Sequence, residues 1–261
     1  ADIAANPRRR YAGTFLDHMS TEHTRTYLKY LVEPTDNLTI QVAGYYNEFE
    51  RDWYKINKAG GQSVSKVVAD PITYAAAYDD LRLLGVGSLG IKHNSRGYNS
   101  KGVQFNFDYD TELGGVAHNI TGGARMHSDS IRRFQQQDTI DLSGDAPVVV
   151  EGALGSGGNR SQIADALSLW IEDDIDLGKL TLSPGVRYEK VEGDWIDFAS
   201  DDTNTKTNGA TGEIDEVVPG VGMTYELSET TNAFGGVYKG ISTPSPRGFL
   251  KSGTGIEEST G

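Results

Sequence analysis

The chain has 261 residues, no cysteine and a formal net charge of -13, with 37% of its residues hydrophobic. Without cysteine there is neither a disulfide framework nor a thiolate metal site, and so acidic a chain argues against a nucleic-acid partner, since phosphate binding needs a basic face. No run approaches the roughly 18 apolar residues of a membrane helix. A mean hydropathy of -0.46 is thin for a soluble core of this size. It suits a membrane barrel, in which only alternate strand residues must be apolar. The 32 glycines and the excess of Tyr (13) over Phe (8) point the same way, because barrels place Gly where strands bend and Tyr at the membrane–water boundary.

Residues 1–10 read as loop and end in Arg8-Arg9-Arg10, a solvated cluster or a second anion-binding patch. Residues 11–32 read as strand, with the polar stretch 18–24 standing outside a membrane. Residues 34–37 (PTDN) form a compact turn. Leu38, Ile40, Val42, Gly44 and Tyr46 then alternate with Thr39, Gln41, Ala43 and Tyr45. Residues 47–58 continue that strand with charge on both parities, and so project above the membrane. Residues 59–87 are a long connection. Asp70 and Pro71 predict the start of an amphipathic helix, ITYAAAYDDLRLL, with Asp70 as N-cap.

Residues 91–110 are the next strand, with Val103, Phe105, Phe107 and Tyr109 on one face and Gln104, Asn106, Asp108 and Asp110 on the other. After a turn at 112–115, Ile120, Gly122, Ala124 and Met126 oppose Thr121, Gly123, Arg125 and His127, and residues 128–143 carry the strand on with polar residues on both faces. Residues 144–160 form a second long loop. The hairpin at 161–195 is the clearest unit: two alternating arms meet at Asp176-Leu177-Gly178-Lys179. Residues 201–212 are a third polar loop. Pro219, Val221, Met223, Tyr225 and Leu227 make another apolar face, and a turn at 228–231 leads into a last strand over 232–242.

The count is about eight strands in four hairpins, with short turns at one end and long polar connections at the other. That asymmetry marks an all-β, transmembrane antiparallel barrel with short periplasmic turns and long outer loops. Eight strands could close a small barrel, but an open set has two edges that are costly in lipid.

The segments IEDDIDLGKLTLSPGVRYE, EVVPGVGMTYELSETTNAFGGVYKGISTPSP, RGYNSKGVQFNFDYDTEL and GIEEST resemble, in order, the barrel of TonB-dependent outer-membrane receptors. The matching positions are Pro184, Gly185, Arg187 and Glu189; Pro219, Gly222 and Tyr225; Lys239, Gly240, Pro244 and Pro246; and Glu257, Glu258 and Ser259. Within the family the chain looks most like the ferric-citrate branch, whose strand of basic ligand-binding residues GGARMHSDSIRRFQ resembles. The resemblance implies a partial barrel over 1–261: about eight of 22 strands, without the N-terminal plug, the TonB-box segment or the C-terminal strands. It implies the outer membrane of a Gram-negative bacterium, contact with its lipid, and uptake of ferric citrate or another ferric siderophore driven by TonB through the plug. Iron would travel as part of the substrate, with no resident cofactor.

On that reading the ligand-binding candidates are Arg125, His127, Arg132, Arg133 and Gln135, with Gln136 a lesser one. Arginine's planar fork pairs bidentately with the carboxylates of an anionic chelate. The same side chains fit a plainer role, balancing the acidic lumen wall of Asp108, Asp110, Glu172 and Asp174. Arg187 and Glu189 read as a structural lumen pair. The five histidines show no ligand pair on one face. An enzyme is not expected: His127 and Ser128 are strand neighbours that face opposite ways, and Gly155-Ser156-Gly157 falls short of a nucleophile elbow. A passive porin for small polar solutes is the alternative, and a soluble β-sandwich adhesin a more distant one.

Overall fold

The computed structural model describes Arg8 and residues 10–242. The chain folds into an eleven-stranded sheet in which every pairing is antiparallel. In chain order the elements are β1 (His18–Thr35), β2 (Leu38–Ala59), β3 (Gln62–Ser63), α1 (Val64–Ala69), α2 (Ala75–Leu81), β4 (Ser88–His93), β5 (Arg96–Leu113), β6 (Val116–Asp141), β7 (Val148–Val150), β8 (Gly158–Asp176), β9 (Leu180–Phe198), β10 (Lys206–Ser228) and β11 (Thr231–Tyr238). The eight long strands lie side by side in sequence order, and β4 continues the line of β5 between β2 and β6. Among the described residues β1 and β11 are the two edges.

The four hairpins predicted from alternation are present. Their turns are tighter than the sequence suggests, because the strands continue to the last residue that can pair. The β5–β6 turn is Gly114-Gly115, at φ 64° and 83°, the left-handed pair that a two-residue hairpin needs. Strand β6 has 26 residues. At about 3.3 Å each it reaches far beyond the 9–11 residues that cross a bilayer, so the sheet stands up as a wall on the side of the long loops.

Register gathers the apolar residues onto one face. Val42, Phe105, Ala124, Leu169, Tyr188 and Val217 are successive partners across β2, β5, β6, β8, β9 and β10. Val103, Met126 and Ile171 on the same face are 55%, 69% and 48% exposed. An exposed apolar stripe on one face is the pattern of a membrane-spanning barrel's outer surface. The opposite face, carrying Gln104, Arg125, Ser168 and Glu189 in one rung, is the inner face.

The packed core lies elsewhere, at the outer end. Ile56, Leu89, Ile91 and Ile140 from the sheet receive Val67 of α1 and Leu81 of α2. Burying each such side chain is worth about 1.5–3 kcal/mol, enough to hold a small cap on the wall.

Several expectations are corrected here: residues 206–212 belong to β10, and β7 and the first residues of β8 fall within 144–160. Residues 11–17 are not strand: Tyr11 and Leu16 pack against the cap, and a Cβ on Gly13 would stand 2.7 Å from the Leu81 carbonyl oxygen, an approach only glycine allows. The helix predicted after Asp70 is shorter, α2 (Ala75–Leu81), and an unpredicted helix, α1 (Val64–Ala69), precedes it. Asp70 ends α1, and its carboxylate accepts from the Thr73 amide (3.0 Å) to shape the bend before α2; Pro71 cannot continue a helix. The last strand ends at Tyr238 rather than at 242. Arg9, Pro244, Pro246, Glu257, Glu258 and Ser259 lie outside the described residues.

Candidate functional site

On the inner face of the outer wall the register brings four arginines into one line. Arg51 of β2 pairs with Arg96 of β5, Arg96 with Arg133 of β6, and Arg133 with Arg160 of β8. The line ends at Asp197 of β9, whose Oδ1 is 3.5 Å from Arg160 Nε. Lys92 of β4 adds a cation just above. Like charges directly opposite one another destabilise a sheet. Burial first, then Arg96 and Arg160, lower the Arg133 pKa, and burial followed by Arg96, Arg160 and Arg133 lowers that of Lys92. The Nε atoms of Arg51 and Arg133 are buried without a hydrogen-bond partner. Unpaired buried donors cost about 1–3 kcal/mol each, so the row is built with unmet demand for an anion.

One rung below, Phe49, Tyr98, Ile131, Gln162 and Trp195 are aligned partners. Phe49 and Tyr98 rings are 5.7 Å apart. Two rungs further down, Tyr45 and His127 face each other across Gly102. His127 Nε2 donates to Asp129 Oδ2 (2.7 Å), so Nδ1 accepts from Tyr45 Oη, and Arg125 donates to that Oη through Nε (3.1 Å) and Nη2 (2.9 Å). Ser128, the strand neighbour of His127, is on the opposite face from this His–Asp pair. Below it, Arg187 pairs with Glu189, which also accepts from Ser168 Oγ (2.6 Å).

The structure therefore separates the candidates read from sequence. Arg133 stands in the arginine row. Gln135 is inward, 4% exposed, and donates to Asn94 Oδ1 at 3.3 Å; with its amide turned it accepts from Arg96 Nε at 3.0 Å. Arg125 and His127 are inward but bonded to each other and to Tyr45. Arg132 is on the opposite face. Its guanidinium donates to the carbonyls of Arg133 (2.8 Å) and Arg160 (3.1 Å) and to Asn204 Oδ1 (2.7 Å), and lies over the rings of Phe134 and Phe198. It ties down the β9–β10 connection. Gln136 also turns outward, to Asp138 Oδ1 at 2.8 Å. Arg51, Arg96 and Arg160 escape a reading of single strands, because only cross-strand register joins them.

Long antiparallel hairpins with an apolar stripe outside, a charged wall inside and a loop cap at one end define the wall of a transmembrane β-barrel. The family described as TonB dependent receptor-like, beta-barrel, matches residues 2–256. The chain belongs to that family of receptor barrels. Similar solved structures include the unliganded ferric citrate transporter FecA (TM-score 0.66, 15% identity, 92% of this chain and 31% of that one). Others are the siderophore receptor PiuA from Acinetobacter baumannii (0.60, 15%, 84% and 32%) and the open form of the ferric-catecholate import receptor Fiu from E. coli K12 (0.63, 13%, 85% and 36%). At these identities the likeness concerns the fold. The chain spans about a third of the length of each of these structures.

Proposed function

We propose that the chain is part of the barrel wall of a longer outer-membrane receptor that takes up an anionic ferric chelate, ferric citrate or another siderophore, using energy delivered by TonB. The row of Arg51, Arg96, Arg133 and Arg160 carries this reading. A chelate whose carboxylates or other ionised oxygens face the row meets bidentate donors and relieves the repulsion among them. Membership of a receptor family favours uptake over catalysis and lends nothing to a passive porin. TonB would act through a plug domain carried by the rest of the receptor, and bilayer lipid would cover the apolar stripe.

The test uses the full-length receptor in detergent. Ferric citrate, a ferric catecholate and an uncharged ferric hydroxamate are titrated against tryptophan emission, with Trp53 and Trp195 beside the row as reporters. Saturable binding of at least one anionic chelate, lost in the Arg96→Ala, Arg133→Ala double variant, supports the reading. Failure of both anionic chelates to bind, with steady ion conductance in planar bilayers, refutes it.

A further inference from the structure

Beneath the arginines the inner face holds a groove of about 520 Å³. Phe49, Tyr98, Ile131 and Ala164 give it apolar walls, and Asn47 and Asp129 close its lower end. A chelate built only from short carboxylates would fill this groove with polar atoms that find no partners on the rings, and burying polar groups unpaired is costly. An aryl group would instead stack on Phe49 and Tyr98, at tilted or offset geometry.

The spacing fits as well. Adjacent inward residues on one strand are two apart, about 7 Å. An ionised phenolate oxygen lies about 3 Å from its ring centre and accepts a hydrogen bond over about 3 Å more. A ring stacked on the exposed faces of Phe49 and Tyr98 thus presents its oxygens to Arg51, Arg96 and Arg133. On β2 the inward order Phe49, Arg51, Trp53, Lys55 repeats this alternation of ring and cation, with Lys55 Nζ 4.5 Å from the Trp53 ring centre.

Resting on the uptake reading above, we propose that the chelate carried is of the aryl class, a catecholate or phenolate seated ring-first in this groove, and that citrate is a poor ligand. The asymmetry is built from two rungs, one for charge and one for the ring. Either alone would bind more loosely.

Equilibrium binding of radioiron-labelled chelates to the full-length receptor tests this, with ferric citrate, a ferric tris-catecholate and an uncharged ferric trihydroxamate as probes. The catecholate should bind at least tenfold tighter than citrate. The Phe49→Leu, Tyr98→Leu double variant should lose roughly tenfold in catecholate affinity and leave citrate unchanged, with Phe49→Tyr restoring most of the loss when Tyr98 is intact. Circular dichroism of each variant establishes that the barrel is folded. Citrate binding as tight as catecholate, or a ratio unmoved by removal of the rings, overturns the aryl assignment while leaving anionic-chelate uptake standing. Absence of binding by both anionic probes overturns the uptake reading and this inference with it.

Discussion

Replacing Arg133 by methionine should make the empty protein more stable and the receptor worse at binding. Methionine keeps most of the side-chain volume and removes the charge. Arg133 faces Arg96 on one side and Arg160 on the other. Each like-charged pair across a sheet costs about 0.2–1 kcal/mol. Its Nε is a buried donor without a partner, which adds about 1–3 kcal/mol. The outer wall is open to water, so screening trims the electrostatic part; a net gain of about 1–2 kcal/mol in unfolding free energy remains. A charge-assisted hydrogen bond to an anionic chelate is worth about 1.5–3 kcal/mol, so affinity should fall by roughly tenfold to a hundredfold. The assay is urea unfolding of the full-length receptor in lipid vesicles, alone and with saturating chelate, beside a direct titration. Stability and binding must move in opposite directions. A variant that is less stable and binds as before would show Arg133 to be a structural residue, and the functional reading of the row would fail with it.

Arg132 supplies the contrasting case. Arg132→Ala should speed proteolysis of the 199–205 connection by freeing Asn204 and uncovering Phe198, and should leave chelate affinity within twofold, read by limited digestion and titration. Gly102→Ala should displace the Tyr45 ring, because the new Cβ meets Tyr45 Oη while the Met126 carbonyl oxygen, 2.6 Å away, blocks retreat; overpacking of this kind costs about 1–3 kcal/mol, measured as a lowered urea midpoint. Phe105→Arg, on the lipid stripe, should cost about 2–4 kcal/mol in vesicles, a loss read from the same unfolding curves. Hydrogen bonds from Thr73 hold the Asp70 carboxyl below its ordinary pKa. Its contribution to the cap is therefore complete above the ordinary carboxylate pKa and is lost as pH falls through the lowered one. Hydrogen exchange at 70–82, corrected for intrinsic rates, should accelerate over that acid range and show no such step in Asp70→Ala.

The hairpins were legible because a strand half in lipid must alternate, and alternation survives in a single sequence. Lipid imposes it on Val103, Phe105 and Phe107 more strictly than a soluble core would. Where the wall leaves the membrane that pressure ends. Residues 11–17 and 70–74 depart from the local pattern, since their structure depends on the cap they pack against and not on a local period. Pro71 follows a helix end as readily as it begins a helix, and only the packing of Val67 and Leu81 into one cluster decides between the two.

The site divides along the same line. Parity is local, so the distinction between Arg132 and Arg133 was already in the sequence: counting by two from the inward Arg125 reaches Arg133 and passes over Arg132. Register is not local. Arg51, Arg96, Arg133 and Arg160 sit in four strands joined by loops of unequal length, and no pattern within any one strand announces that they share a rung. What does announce it, once the rung is seen, is its cost. A chain of net charge -13 has carboxylates to spare, and a sheet selected for stability alone would set them among these guanidiniums, as Glu189 is set beside Arg187 lower on the same face. Among the described residues at the outer mouth, Asp197 alone is set against the row, at one end and at 3.5 Å. Arg187, lower on the wall, has a carboxylate beside it, whereas the row at the outer mouth meets one at a single end. On the proposed reading, the missing negative charge is supplied by the chelate.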